Sequence, residues 1–309
     1  MNEPIHNFAA GPGVLPAPVI AEIREDLPHL GGHGTSILEM SHRTPPFEAI
    51  ITEAEANLRS LLGIPDGYRV LFLQGGATLQ FAMVPFNFLQ GAGRPADYVI
   101  AGTWGKKASE DARKAGKVQV AWNGEPLGFS RMPGQSELLL DPKAAYVHIT
   151  SNETIEGVAL FDFPNTGAVP LVCDASSDFL ARPLDVSRFG LLYAGAQKNA
   201  GAAGVTIVIL SEAMLESAPA DRFAMLSYKA QAAGKSMHNT PPCFSVYVVM
   251  LVTRWLRDTI GGLEAMSALN TRKAGIVYDA IARSGGFYRA HADRASRSEM
   301  NVSIVATAS

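Results

Sequence analysis

Residues 169–199 read VPLVCDASSDFLARPLDVSRFGLLYAGAQKN. Two short apolar runs, Val169–Asp174 and Leu191–Gly195, bracket a more polar middle. Neither alternates apolar with polar residues, which is the pattern of strands covered on both faces by helices. Asp174 closes the first run, and Lys198 stands in the loop just after the second. In open parallel sheets ligands sit in the crevice beyond the carboxyl ends of the strands. A strand-end carboxylate and a strand-end lysine can therefore meet in one crevice. Taken singly, a lysine in such a loop is an ordinary solvated charge, so the pairing matters more than either residue.

Working outward, further β-type runs lie at Tyr68–Leu73, Asp97–Ala101, Lys117–Ala121, Ala145–Thr150 and Val205–Leu210. Helical patterns separate them. The clearest places Phe47, Ile50, Ile51, Ala54, Leu58, Leu61 and Leu62 on one face, with Pro46 in its first turn and Gly63 and Pro65 at its end. This alternation predicts an α/β domain built on a mainly parallel sheet. Beyond Ser245 two long helical stretches, about 244–259 and 262–284, lead to β-type runs at Phe287–Ala290 and Val302–Ala306. The expected division is a large domain over 16–261 and a smaller α+β domain from 1–15 plus 262–309, with the boundary near Gly261–Gly262.

Other strand ends carry polar groups too. LQGGATLQF (73–81) places Gly75 and Gly76 before a helix opening with Ala77 and Thr78, whose N–H groups and hydroxyl can hold a phosphate. Alone, the glycine pair reads as a plain strand-to-helix turn. AGTWGKKA (101–108) puts Trp104 in a loop, either as an aromatic plate beside a ligand ring or as packing between helix and sheet. HITSNETIEG (148–157) crowds polar groups after an apolar strand; Thr154 can donate to a ligand oxygen, or the segment is simply an Asx or Ser/Thr turn.

The remaining composition narrows the field. The 309 residues are 47% hydrophobic and 18% charged, which suits a globular chain with a substantial core. A net charge of −3 gives no general attraction to nucleic acid or anionic membrane, so an anionic substrate must be met by a local cluster of positive groups. MNEPIHNF lacks the basic and apolar regions of a signal peptide, and the longest apolar run, Phe244–Val252, is too short to cross a bilayer. Two cysteines, Cys173 and Cys243, imply no disulfide framework. A cytoplasmic protein is expected.

At AGAQKN the pattern becomes specific. HITSNETIEG, the long block ending in AGAQKN, and HNTPP (238–242) resemble the phosphoserine aminotransferase family, class V members of the fold-type I enzymes that use pyridoxal 5′-phosphate (PLP). NFAAGPGVLP (7–16), EMSHR (39–43), SGGFYR (284–289) and RSEMNV (297–302) resemble it as well, in collinear order over essentially the whole chain. The resemblance implies a transaminase of the aspartate aminotransferase-like fold that moves an amino group between glutamate and a phosphorylated keto acid, either 3-phosphohydroxypyruvate or its counterpart in pyridoxine synthesis. Lys198 would carry PLP as a Schiff base, Asp174 would pair with the pyridine nitrogen, and Trp104 would stack on the ring. Thr154 would bond the ring hydroxyl, while Ala77, Thr78 and Gln197 would help hold the phosphate. Asn239 and Thr240 would reach the phosphate of a neighbouring subunit's cofactor, which requires a homodimer with shared sites. His42 and Arg43 would bind the acidic groups of the substrates, a task for which the planar fork of arginine is suited.

The chemistry explains the pair. A lysine with a pKa of ~10.4 is neutral only about once in a few thousand molecules at pH ~7. Desolvation and nearby positive charge favour the neutral amine, which can condense with an aldehyde. A carboxylate against the pyridine nitrogen keeps that nitrogen protonated and the ring electron-accepting.

Departures from the family pattern are local, except at the end. Ala10 and Thr78 replace a serine and an arginine of some members, and Ala200 and Ala202 stand where an isoleucine and a proline are usual. Family members continue several dozen residues past MNVSIVATAS, adding another substrate-binding arginine. A chain ending at Ser309 is expected to keep the cofactor site with weakened substrate affinity and stability. A catalytically impaired or non-catalytic PLP-binding homologue is therefore the alternative, as is another class V aminotransferase. A desulfurase needs a cysteine on a mobile loop, whereas Cys173 lies inside a strand and Cys243 opens an apolar helix. A dinucleotide-dependent oxidoreductase lacks its strand-linked GxGxxG. His29, His33 and His42 lie in glycine-rich sequence without HExxH and read as loop or surface histidines, while His148, inside a strand, reads as packed or hydrogen-bonded.

Overall fold

Each of the seven β-type runs between Tyr68 and Leu210 becomes a strand of a single sheet in the computed structural model, which describes residues 5–307. The outermost positions of the expected segments 1–15 and 262–309, namely 1–4 and 308–309, lie outside the described residues. In chain order the elements are α1 (Ala17–Asp26), α2 (Pro45–Leu62), β1 (Tyr68–Leu73), α3 (Gly76–Phe88), β2 (Ala96–Ile100), α4 (Thr103–Ala115), β3 (Val118–Asn123) and β4 (Val147–Thr150). There follow β5 (Asn152–Glu153), β6 (Val158–Ala159), β7 (Leu171–Asp174), β8 (Leu191–Gly195), β9 (Thr206–Ser211), α5 (Glu212–Ser217) and α6 (Tyr228–Ala233). The chain closes with α7 (Cys243–Trp255), α8 (Leu263–Ala282), β10 (Tyr288–Ala290) and β11 (Ile304–Ala306).

The large sheet has the order β1-β9-β8-β7-β4-β2-β3. Strands β3, β2, β4, β7 and β8 run parallel, and β9 is antiparallel to both its neighbours β8 and β1. So β1 points the same way as β8, and β9 alone is reversed. Six carboxyl ends thus share one edge, the arrangement that places a ligand site.

The strands divide their side chains between two helical layers by the period-2 rule. Leu192, Ala194, Ile207 and Ile209 join one buried cluster with Phe47 and Leu58 of α2 and Val246–Val252 of α7. Leu191, Tyr193, Val208 and Leu210 join another with Phe81 and Val84 of α3 and Ala108 and Ala112 of α4. That double burial is why these runs do not alternate in the sequence. Helix α2 starts at Pro45 and ends at Gly63 in the left-handed conformation, φ 56°. Helix α7 passes into a π-turn at Leu256–Ile260, closed by Gly261 at φ 88°. No helix is long and apolar enough to cross a membrane among the described residues.

Candidate active site

Asp174 is the last residue of β7, opposite Thr150 of β4 and Tyr193 of β8. It is only 3% exposed. Its Oδ1 accepts hydrogen bonds from Ser176 N at 2.9 Å and Ser176 Oγ at 2.6 Å. Burial pushes the carboxyl up to about 6, while the Ser176 donors and the Lys198 charge pull the other way. Among the described residues none donates to Oδ2, which leaves that oxygen for a cationic partner.

Lys198 follows β8. Its Nζ lies 3.4 Å from Thr154 Oγ1 and 5.9 Å from the centroid of the Trp104 ring. Burial lowers its pKa and Asp174 opposes the change, so the neutral amine is more accessible than in water. The segment before α1 lies across this loop. Gly13 N–H donates to Gln197 O at 2.8 Å, and a Cβ added to Gly11 would stand 2.6 Å from Lys198 Cδ. A cavity of about 250 Å³ opens beside the amine, lined by Ala10, Thr154, Ser177, Lys198, Asn301 and Ser303 among others.

The N-terminus of α3 is uncapped. Gly75 holds φ 86° and supplies no side-chain cap. Leu79 N–H is the first to bond back, to Gly75 O at 3.2 Å, so the N–H groups of Gly76, Ala77 and Thr78 have no partner within the helix. Leu73 pairs with Thr206, and Thr206 with Gly195. Two strand spacings, about 10 Å, therefore separate the end of β1 from the end of β8. An amine, a buried carboxylate, an aromatic face and an uncapped helix end are the donor set that PLP requires, and all stand on one sheet edge. The residues fit the group.

The other expected residues are placed differently. Thr240 O accepts from Gln74 Nε2 at 2.8 Å, which sets the 238–242 segment beside the end of β1, and Asn239 lines a small cleft with Gln74. His42 is buried with Nε2 unpartnered, and Arg43 is exposed in the turn before α2. Neither these two nor Asn239 and Thr240 line the cavity at Lys198. His148 is buried, its Nε2 2.8 Å from Tyr193 Oη and its ring stacked on Tyr98 at 4.7 Å. Burial pushes it down to about 3, so it is neutral and adds no cation to compete for Asp174.

Sequence reasoning overlooked Ser176, whose place two residues after Asp174 in an Asx-type turn was a readable signal. It overlooked Glu153 and Glu156 as well. HITSNETIEG is not a bare loop after β4 but the small antiparallel hairpin β5–β6, with Thr154 at its turn.

The reversed β9 beside a parallel sheet, with a lysine and an aspartate at adjoining strand ends, fits the class of PLP-dependent enzymes. Residues 5–308 match the family model described as Aminotransferase class-V. The chain is 50% identical over 300 residues to the phosphoserine aminotransferase of Herpetosiphon aurantiacus, covering 97% of this chain and 83% of that protein. It is 52% identical over 303 residues to that of Acidithiobacillus ferrooxidans, covering 98% and 83%. Among solved structures it matches a phosphoserine aminotransferase from Bacillus circulans subsp. alkalophilus with a TM-score of 0.96 and 46% identity, covering 99% of this chain and 84% of that one. A PLP-bound phosphoserine aminotransferase from Trichomonas vaginalis matches with a TM-score of 0.90 and 34% identity, covering 97% and 83%. The chain belongs to the class V aminotransferase family, and within it to the phosphoserine aminotransferases.

Proposed function

We propose that this chain transfers an amino group between L-glutamate and 3-phosphohydroxypyruvate, with PLP held on Lys198. The observation that carries this reading is the placing of Lys198 and Asp174 after neighbouring strands, where each is drawn out of water and within the other's field. When bound, the cofactor supplies a reactive carbonyl and an electron sink for the bond broken at the substrate's Cα. Lys198 Nζ is the group that takes the proton from Cα and returns it, a task helped by its lowered basicity. Ser176 fixes Asp174 Oδ1, and Oδ2 would pair with the ring nitrogen and keep it protonated. Trp104 would cover the ring and exclude water. Thr154 Oγ1 would bond the ring oxygen. The N–H groups of Ala77 and Thr78, with Gln197, would hold the phosphate.

In the same reading the protein works in the cytoplasm as a homodimer. Asn239 and Thr240 then reach the partner's phosphate, and His42 and Arg43 bind substrate carboxylate or phosphate; this assigns the four residues that do not line the chain's own cavity. The test is a coupled assay of 2-oxoglutarate released from glutamate and 3-phosphohydroxypyruvate. Turnover by the wild type and none by Lys198→Ala is expected, whereas equal rates in the two would refute the reading.

A further inference from the structure

The first turn of α4 has an unusual cap. Gly102, its N-cap residue, offers no side chain, yet all three leading N–H groups are bonded. Thr103 N donates to Glu156 Oε1 at 2.9 Å, and Thr103 Oγ1 donates to the same oxygen at 2.6 Å. Trp104 N donates to Glu153 Oε2 and Gly105 N to Glu153 Oε1, each at 2.9 Å. Both carboxylates come from the β5–β6 hairpin, distant in sequence and itself the carrier of Thr154. Glu153 is fully buried and Glu156 is 7% exposed, with Oε2 buried and unpartnered.

An N-terminal first turn is ordinarily capped by the side chain of its own N-cap residue. Two buried carboxyl groups from another element carry a desolvation cost that a serine at position 102 would avoid. The backbone also yields room to them. A Cβ at Gly102 would lie 2.6 Å from Glu153 Cδ and 2.6 Å from Glu156 Oε2, and one at Gly105 would lie 3.0 Å from Glu153 Oε1. The clamp joins two residues from different elements that both stand near the amine: Lys198 Nζ is 3.4 Å from Thr154 Oγ1 and 5.9 Å from the centroid of the Trp104 ring.

We infer that Glu153 and Glu156 are positioning residues that lock the Trp104 ring and the Thr154 hydroxyl into one rigid jaw against the cofactor. Ordinary capping stabilises a helix. This clamp in addition fixes the Trp104 plate relative to the Thr154 hydroxyl, a relation between ring face and ring edge that neither residue can set alone. The inference rests on the proposed roles of Trp104 and Lys198, and its test separates the two.

The experiment measures the dissociation constant of PLP and the induced circular dichroism of its visible band, for wild type, Glu153→Gln, Trp104→Phe and the double variant. The Glu153→Gln change puts an NH₂ in place of one of the two oxygens that accept from Trp104 N and Gly105 N. Glu153→Gln and Trp104→Phe are each expected to weaken binding about tenfold and to diminish the induced signal, while the double variant loses no more than about threefold beyond Trp104→Phe, because coupled residues do not add. Multiplied losses in the double variant, or wild-type affinity and signal in Glu153→Gln, would overturn the inference. If Glu153→Gln is not recovered folded, Glu156→Gln takes its place in the same cycle, where non-additive losses support the clamp and multiplied losses or wild-type behaviour overturn it. Failure of the parent reading shows separately, as a wild-type protein with no induced band.

Discussion

At the scale of single residues, the site is a set of carboxyls kept out of water, and this makes stability depend on pH. Glu153 is pushed up to about 8 by burial, with Glu156 and Asp174 adding repulsion against the Gly105 and Trp104 N–H groups that hold it down. Asp174 is pushed up to about 6. A folded-state pKa above the unfolded one means that the folded protein retains protons the unfolded chain has released. The stabilisation is complete below the unfolded values, 4.5 and 3.8, and is lost as pH rises through about 8 and about 6. The melting temperature of the cofactor-free protein is therefore expected to fall between about pH 5 and about pH 8, and to fall less steeply in Glu153→Gln. A flat profile in the wild type contradicts the assignment. The placing of Asp174 and Lys198 at strand ends was legible in the sequence because Asp174 closes one apolar run and Lys198 stands in the loop after another. Glu153 was not, since its partners Trp104 and Gly105 lie in another element and nothing near Gly102 announces a missing cap.

At the scale of elements, turns decide what each strand end offers. The N-terminus of α3 is open to an anion because Gly75 takes φ 86° and contributes no capping side chain. An alanine there is strained by that φ, and its Cβ would also meet Leu79 Cβ at 2.6 Å. Gly75→Ala is expected to cost about 1–3 kcal/mol in urea denaturation and to weaken PLP binding, because Ala77 and Thr78 shift with the turn. Unchanged stability and affinity would show that the turn is not what shapes this end. Long elements were readable: α2 and α7 by their apolar faces, and the strands by continuous hydrophobicity. The β5–β6 hairpin was not, because two-residue strands are too short to show a period. Nor does sequence distinguish the π-turn at Leu256–Ile260 from more α-helix, since a single turn is too short to show a change of period. We propose Gly261–Gly262 as the boundary between the large and small domains, because both glycines hold positive φ, 88° and 103°, directly between α7 with its π-turn and α8.

At the scale of the whole molecule, the function depends on direction. Six strands point one way and β9 the other, so residues separated by more than a hundred positions in the chain, Ala77 and Lys198 among them, meet at one edge. The sequence shows which residues follow strands but not the strand order, because pairing is set by packing between distant segments. The most direct measurement is borohydride reduction of the protein incubated with PLP, followed by proteolysis and mass analysis of the labelled peptide. Cofactor fixed to the peptide containing Lys198, and no labelling in Lys198→Ala, is the predicted result. Label on another lysine, or equal labelling of the variant, would contradict the account.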